Sequence, residues 1–141
     1  MILLDTNVVS EPLKLAGDVG VLTWLDAQTI ETLYLSTISL AELRFGIAAL
    51  AAGKRRDTLH TSLEQRILPL FVGRILPFDA AASEACAALR ARARAQGKAI
   101  SPADGYIAAT AMAHGLIVAT RDTGPFEAAG LTVIDPWSQG H

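Results

Sequence analysis

The sequence contains one cysteine and little charge. Cys86 cannot form an internal disulfide, and within the Ala-rich segment A-S-E-A-C-A-A-L it is expected to be a small apolar helix residue. Charged residues make up 18% of the 141 positions, and the net charge is −2. This balance excludes a protein that binds nucleic acid through a broad basic face, because such binding depends on the release of many counterions. Any contact with nucleic acid must be local.

Long apolar runs are also missing. Arg, Glu or Asp interrupt even the Ala-rich segments, so no stretch approaches the roughly 18 residues of a membrane span. The start lacks the basic region and cleavage pattern of a secretory signal. We therefore expect a cytoplasmic protein without membrane association. Hydrophobic residues make up 51% of the chain, which suits one domain with an ample core, and no linker or repeat divides it.

Short apolar runs alternate with helical patterns along the chain. The runs predict five strands, at Ile2–Leu4, Leu33–Ser36, Ile75–Phe78, Leu116–Ala119 and Leu131–Ile134. The helical patterns lie between them, at Val8–Lys14, Val19–Ala27, Leu40–Ala52, Arg56–Phe71, Ala80–Gln96 and Pro102–His114. This alternation predicts an α/β fold with a mostly parallel sheet. The first strand is apolar without alternation, as in strands covered on both faces, and Pro77 favours an edge position for the third.

Acidic residues follow the predicted strands. Asp5 directly follows the first strand, Glu42 lies just after the second, and Asp122 follows the fourth in the turn T-R-D-T-G. Asp104 lies in the first turn of the helix that runs back to the fourth strand, so it starts at the same end of the sheet. Ligands of open α/β sheets bind beyond the carboxyl ends of the strands. The four acids are therefore predicted to converge at one rim.

Each of these acids also has an alternative role as a helix cap. Two of them complete the pattern of a capping box, in Ser39-x-x-Glu42 and Ser101-x-x-Asp104, and Pro102 suits the first helical position. The other two could cap the turns in which they lie. Capping does not require all four acids to lie at one end of the sheet, so their common position favours a functional site.

A cluster of carboxylates needs cations. Two unit charges 4 Å apart repel by roughly 1 kcal/mol in water and by about 4 kcal/mol at an effective dielectric near 20. Arg44 and Arg121 are the basic residues near the acids, and they are also candidate substrate-binding residues. The oxygen donors favour Mg²⁺, with Mn²⁺ as the alternative, whereas the histidines lack ligand spacing (His60, His114 and His141). Hydrolysis of a phosphodiester by a metal-bound water is the reaction that such a site fits best.

The segments around the acids resemble the PIN-domain ribonucleases, and within them the VapC-type toxins of bacterial toxin–antitoxin pairs. The resemblance spans nearly the whole chain and is carried by L-D-T-N-V-V-S-E, I-S-L-A-E-L-R-F-G-I, P-A-D-G-Y-I-A-A-T-A, T-R-D-T-G-P-F and the ending V-I-D-P-W. It implies a single PIN domain over residues 1–141, with a three-layer α/β/α fold and a mostly parallel central sheet of about five strands. It also implies a set of catalytic metal ligands: Asp5, Glu42, Asp104 and Asp122. Many relatives have Asn or Asp at the last of these positions.

The resemblance further implies a Mg²⁺-dependent endoribonuclease toxin that hydrolyses phosphodiester bonds in transfer RNA or other structured RNA and inhibits translation. Thr6, Asn7 and Thr120 would hydrogen-bond the acids and fix their orientation. The implied partners are a cognate antitoxin that neutralises the toxin, the RNA substrate and a second copy of the chain in a homodimer. DNA would be contacted only indirectly, through the antitoxin.

Some alternatives stay open on the sequence alone. One is a non-catalytic PIN-like domain that only binds a protein partner. Another is a phosphoryl-transfer α/β hydrolase of the D-x-D-x-T type, although Asn7 occupies its second acid position. Glu11 is either a further acid near the rim or a solvated residue on the first helix. Apolar residues could line an antitoxin groove, though core packing is the default for each candidate: Trp24, Leu25, Phe45 and Ile47.

Two basic clusters could contact RNA phosphates. One is Lys54 to Arg56, and the other consists of Arg90, Arg92 and Arg94 with Lys98. Alternate residues step by about 200° around a helix, so the three arginines are predicted to spread over the helix surface and not to form one stripe. A solvated, salt-bridged face is the simpler interpretation of this cluster.

Overall fold

The strand β1 (Ile2–Leu4) occupies the centre of a parallel sheet in this computed structural model, which describes residues 1–138. Four further strands complete the sheet, in the order β3-β2-β1-β4-β5: β2 (Leu33–Ser36), β3 (Ile75–Leu76), β4 (Ile117–Ala119) and β5 (Val133–Ile134). All four neighbouring pairs are parallel. The packing of β1 on both of its faces and the edge position of β3 confirm the predictions. The strand β3 is shorter than predicted, because Pro77 has no N–H to continue the pairing.

Helices cover both faces of the sheet. Seven α-helices lie within residues 1–138: α1 (Thr6–Val9), α2 (Val19–Ala27), α3 (Thr37–Ala48), α4 (Lys54–Thr61), α5 (Ala80–Ala95), α6 (Pro102–Ala113) and α7 (Thr123–Ala128). In the same part of the chain, no helix is long and apolar enough to cross a membrane. Leu3 packs against α5 and α6 in one hydrophobic cluster, while Ile2 and Leu4 belong to a second cluster with α1 and α3. The alternating side chains of β1 thus join two cores in a three-layer α/β/α fold.

Two predicted helices are divided in the structure. The first becomes α1 followed by a 3₁₀ segment at Glu11–Leu13, and the fourth becomes α4, a π-helical segment at Ser62–Ile67 and a 3₁₀ segment at Leu68–Phe71. Both 3₁₀ segments have a proline in their first turn, Pro12 and Pro69. Proline cannot donate the backbone hydrogen bond that would continue an α-helix. The prediction of continuous helices was therefore wrong at these two places, and the short helix α7 was not predicted.

The central strand should dominate stability. Leu3 of β1 is fully buried against the helices α5 and α6. Leu3→Ala is therefore expected to lower the free energy of unfolding by about 2–5 kcal/mol. Leu15 is 96% exposed, and the matched change Leu15→Ala should shift it by less than about 0.5 kcal/mol. Urea denaturation of both variants measures the difference. Similar midpoints for the two would contradict the central packing of β1.

Candidate active site

Asp5 lies at the carboxyl end of β1, where the chain turns into α1. Its backbone N–H donates to the Ala119 carbonyl (2.9 Å), which extends the pairing with β4. Its side chain is only 4% exposed. One carboxylate oxygen, Oδ1, accepts the Thr6 backbone N–H (2.8 Å), and the other, Oδ2, accepts the Thr120 hydroxyl (2.8 Å). Both oxygens are therefore held in place, and Asp5 is also the N-cap of α1.

The environment of Asp5 makes its carboxylate hard to ionise. Burial raises its pKa to about 6, against the opposing effect of the hydrogen bonds from Thr120 and Thr6, which stabilise the charged form. The negative charges of Asp104 and Glu42 raise the pKa further. The structure thus places Asp104 and Glu42 within electrostatic range of Asp5, at the rim where the strand ends were predicted to bring them.

Glu42 lies in the second turn of α3. The N-cap of this helix is Ser36, whose hydroxyl accepts the Ser39 backbone N–H (3.0 Å). The prediction of Ser39 as N-cap, with Glu42 closing a capping box, is therefore wrong. A serine at the very end of β2 is available earlier, and the helix begins at Thr37. The Glu42 carboxylate consequently has no capping function.

Two hydroxyl groups connect Glu42 to the start of α1. Thr6 Oγ1 donates to Glu42 Oε1 (2.7 Å) and is also hydrogen-bonded to Ser39 Oγ (3.0 Å). Because Thr6 has a single hydroxyl proton, which the carboxylate attracts, the Ser39 hydroxyl supplies the proton of the second bond. Ser39 is fully buried. It is a site residue that sequence reasoning assigned to capping, although its spacing of three from Glu42 places both on one helix face.

Asp104 begins α6 as predicted. Ser101 is the N-cap and accepts the Asp104 backbone N–H (3.3 Å), with Pro102 at the first helical position. The cap therefore uses the backbone N–H of Asp104 and not its carboxylate, and the residue is partly exposed. Asp104 can therefore stabilise the start of α6 through its backbone while its carboxylate remains available at the rim.

Asp122 is exposed and stands at the N-cap of α7. Within residues 1–138 its carboxylate makes no capping hydrogen bond. Its backbone N–H instead donates to Thr120 Oγ1 (3.0 Å), and the Asn7 amide donates to the same oxygen (3.4 Å). Because this oxygen accepts two bonds, the Thr120 hydroxyl proton is directed to Asp5. Thr120 thereby joins the first acid, the fourth acid and the amide of Asn7.

The two candidate substrate-binding arginines have other contacts. Arg44 forms a two-point ion pair with Glu64, at 2.8 Å and 3.1 Å, which lowers the pKa of that carboxyl. The guanidinium of Arg121 lies 5.1 Å from the ring centre of Trp137. Neither arginine forms an ion pair with an acid of the rim in the described part of the chain.

Glu11 belongs to the supporting structure. The interpretation of Glu11 as a solvated residue is wrong, because its side chain is buried, with 4% exposed. It accepts the Asp18 backbone N–H (2.9 Å) and pairs with Lys14 (2.9 Å). Burial alone would raise its pKa, but these two contacts hold the pKa below the ordinary value. Glu11 therefore fixes the loop before α2.

The rim has the chemistry of a cation site without a basic partner. Across residues 1–138 the ion pairs are Lys14 with Glu11 and Arg44 with Glu64, so none of the four rim acids is neutralised by a basic side chain. Their donors are all oxygens, which fit Mg²⁺ or Mn²⁺. In the same residues, no three His, Cys, Asp or Glu side chains already lie close enough together to hold one metal ion. Binding a cation therefore requires the more exposed carboxylates to turn toward Asp5.

Two of the histidines lie at helix ends. His60 is in the last turn of α4, and His114 is the C-cap of α6. His141 lies outside the described residues.

Comparison with known proteins decides the family. The protein-family model for the PIN domain matches residues 2–131 of this chain. The chain belongs to the PIN-domain family. As a PIN domain, it is 62% identical over 137 residues to "VapC ribonuclease Y4jK" of Sinorhizobium fredii, covering 97% of this chain and 98% of that protein. It is 56% identical over 137 residues to "Toxin FitB" of Neisseria gonorrhoeae, covering 97% of this chain and 99% of that protein.

Solved structures of PIN domains share the fold. The crystal structure of FitAcB from Neisseria gonorrhoeae superposes with a TM-score of 0.95 at 56% identity, covering 98% of this chain and 99% of that chain. Other structures with the fold belong to the VapBC family of toxin–antitoxin systems, and one of them is bound to DNA. The predicted family and its three-layer fold are confirmed.

The raised pKa of Asp5 predicts a pH-dependent stability in the metal-free protein. Its pKa is about 6 when folded and 3.8 ordinarily, so between these values the folded state binds the proton more tightly. The stability gained from this proton is fully present below about pH 4 and is lost as the pH rises through 6. The difference amounts to roughly 3 kcal/mol. Urea denaturation in EDTA from pH 4 to 7 should show the wild type losing this amount relative to Asp5→Asn, and a constant difference would contradict it.

Thr120 should hold the pKa of Asp5 down through its hydroxyl. Thr120→Val keeps the shape but removes the donor, so the pKa of Asp5 should rise above about 6. The matched control is Thr110→Val, since Thr110 is equally buried but donates to the Tyr106 carbonyl within α6 (2.8 Å). Carboxyl-carbon NMR titration of Asp5 measures both. An unchanged pKa in Thr120→Val would show that the hydroxyl does not control this carboxylate.

Proposed function

We propose that this PIN domain is a metal-dependent endoribonuclease toxin of a toxin–antitoxin system. It hydrolyses phosphodiester bonds in RNA, with transfer RNA or other structured RNA as the substrate class, and thereby inhibits translation. The observation that carries the proposal is the group of acids around Asp5, which lacks basic counter-ions among the described residues. The high identity to a VapC ribonuclease over 97% of the chain supports the same activity.

The acids of the rim would hold the cation: Asp5, Glu42 and Asp104, with Asp122 as the fourth donor. When bound, Mg²⁺ or Mn²⁺ supplies a lowered pKa for a coordinated water and positive charge for the phosphate oxygens. The protein residues provide the fixed positions that this chemistry needs. Thr120 and the Thr6 backbone hold Asp5, while the Thr6 hydroxyl, supported by Ser39, holds Glu42. Such supporting hydrogen bonds typically account for roughly 10–100-fold in metal affinity or activity.

An antitoxin partner follows from the same relationship. Structures with this fold include VapBC toxin–antitoxin complexes, and we propose a cognate antitoxin that neutralises this chain and alone contacts DNA. Of the four apolar residues suggested for its groove, Phe45 is 74% exposed on α3, whereas Ile47 is buried and Trp24 and Leu25 pack against the core. Phe45 is therefore the residue available for contact. We also propose that the toxin is cytoplasmic and forms a homodimer.

The alternatives differ in what they require. A D-x-D-x-T phosphoryl-transfer enzyme needs a second acid where Asn7 stands, and Asn7 instead contacts Thr120 and the Arg121 backbone (3.4 Å each). Membership of the PIN-domain family overturns that reading. The non-catalytic interaction domain keeps the same fold, and only activity separates it from the proposed toxin.

Purified, partner-free protein should cleave RNA with Mg²⁺ or Mn²⁺ and lose the activity in EDTA. Asp5→Asn should reduce kcat by more than the roughly 100-fold that supporting residues account for, because it replaces a proposed ligand. Asp26→Asn is the matched control, since Asp26 is exposed on α2 and outside the rim acids. Cleavage is measured on labelled RNA, and metal binding by the thermal shift on adding Mn²⁺, which Asp5→Asn should diminish.

The outcomes separate the candidate functions. Cleavage that persists in EDTA would contradict a metal-dependent mechanism. Absence of cleavage with either metal, in a folded wild-type protein, would favour the non-catalytic interaction domain. In cells, induction of the free toxin should arrest growth and create new RNA ends, and Asp5→Asn should do neither.

A further inference from the structure

Two arginines of α5 share one surface pocket. Arg90 and Arg94 are separated by one helical turn and line a cavity of about 440 Å³ together with Ala91, Ala99 and Ile100. Arg92 points elsewhere, since a Cβ added to Gly130 would lie 2.8 Å from its Nη1. The three arginines therefore do not form one stripe, as predicted, but Arg90 and Arg94 share a face because residues four apart lie on the same side of a helix.

Arg90 lies against the first turn of α6, the turn that contains Asp104. A Cβ added to Gly105, the residue after Asp104, would lie 3.2 Å from Arg90 Cδ and 3.4 Å from Cγ. Gly105 is in α6 and does not have a positive φ, so the backbone does not require glycine there. Glycine inside a helix costs about 1 kcal/mol relative to alanine. The space that it leaves is occupied by the side chain of Arg90, which packs on α6 at the residue that follows Asp104.

The two guanidinium groups have no protein counter-ion. The ion pairs within residues 1–138 involve neither Arg90 nor Arg94, although Asp104 adjoins the glycine that Arg90 covers. The opposite wall of the pocket is apolar, with Ala99 and the buried Ile100. Arg94 is in the last turn of α5, where a cation also favours the helix dipole. Arg90 lies a full turn further in, so the dipole does not explain it.

We propose that Arg90 and Arg94 bind successive backbone phosphates of the RNA and guide the strand past Asp104 into the acidic rim. This inference rests on the proposed ribonuclease function and adds the surface that the substrate follows. Guanidinium groups suit phosphate oxygens because their planar donors match them in pairs. A local pair of cations also agrees with a net charge of −2, which allows local but not broad contact with nucleic acid.

The contacts should act on binding and not on the chemical step. They lie outside the acids and are the same in the ground state and the transition state, so their loss raises KM and leaves kcat unchanged. Arg90→Gln with Arg94→Gln should raise KM about 10-fold, as expected for two exposed charge contacts. The dependence of log K on log salt should weaken by about 1.4, because each lost phosphate contact on a single strand contributes roughly 0.7.

A double variant elsewhere provides the control. Arg66→Gln with Arg92→Gln removes the same charge, but Arg66 lines a different cavity and Arg92 lies against Gly130. Steady-state cleavage of a labelled RNA is measured for both double variants between 50 and 300 mM salt. Equilibrium binding of the same RNA is measured in an Asp5→Asn background, which reports on the surface independently of cleavage.

Each outcome decides the proposal. A higher KM and a weaker salt dependence in the Arg90/Arg94 variant alone support it, as does selective loss of RNA binding in the Asp5→Asn background. Equal behaviour of the two double variants overturns it, while cleavage by the wild type would leave the ribonuclease function standing. If the Arg90/Arg94 variant binds RNA normally but loses the antitoxin, the pocket is a protein interface and the proposal is wrong. Absence of any RNA binding also overturns it.

Discussion

The carboxylate of Asp5 is buried at the end of the central strand, where ionisation is unfavourable. The hydrogen bonds of the candidate site depend on this position. Removing a charge from water is unfavourable, so the pKa rises to about 6 in spite of two hydrogen bonds to the carboxylate. The parallel pairing of β1 with β2 and β4 determines where this group lies. A rigid, doubly covered strand holds this carboxylate in the fixed position that the proposed metal site would require.

Two threonine hydroxyls connect the acids of the rim to neighbouring elements through hydrogen bonds. Thr120 links Asp5 to the start of α7, and Thr6 links the first turn of α1 to Glu42 on α3. Both hydroxyls have their single proton directed to a carboxylate by the other bonds they make. The rim is thus a connected hydrogen-bond network that leaves its negative charge without a basic partner within residues 1–138. The proposed binding of a divalent cation rests on this imbalance of charge.

The sequence predicted the strands better than it predicted the helix starts and the side-chain contacts. Strand positions were readable because apolar runs bounded by polar residues leave few alternatives, and Pro77 placed β3 at the edge. The helix around Glu42 began three residues earlier than expected, because Ser36 caps it from the end of β2. The sequence placed Arg44 near the rim because it lies two positions after Glu42. Residues two apart point to opposite sides of a helix, and the partner of Arg44 is Glu64.

The sequence by itself determined the alternation of strands and helices, the acids that follow the strands and the family, because these depend on residue type and spacing along the chain. Only the tertiary structure decided that Ser39 supports Thr6, that Thr120 serves two acids, that Glu11 is buried and that Arg90 lies against Gly105. These are contacts between residues far apart in the chain or on different elements. They depend on how the helices pack over the sheet, and no local sequence pattern specifies that packing.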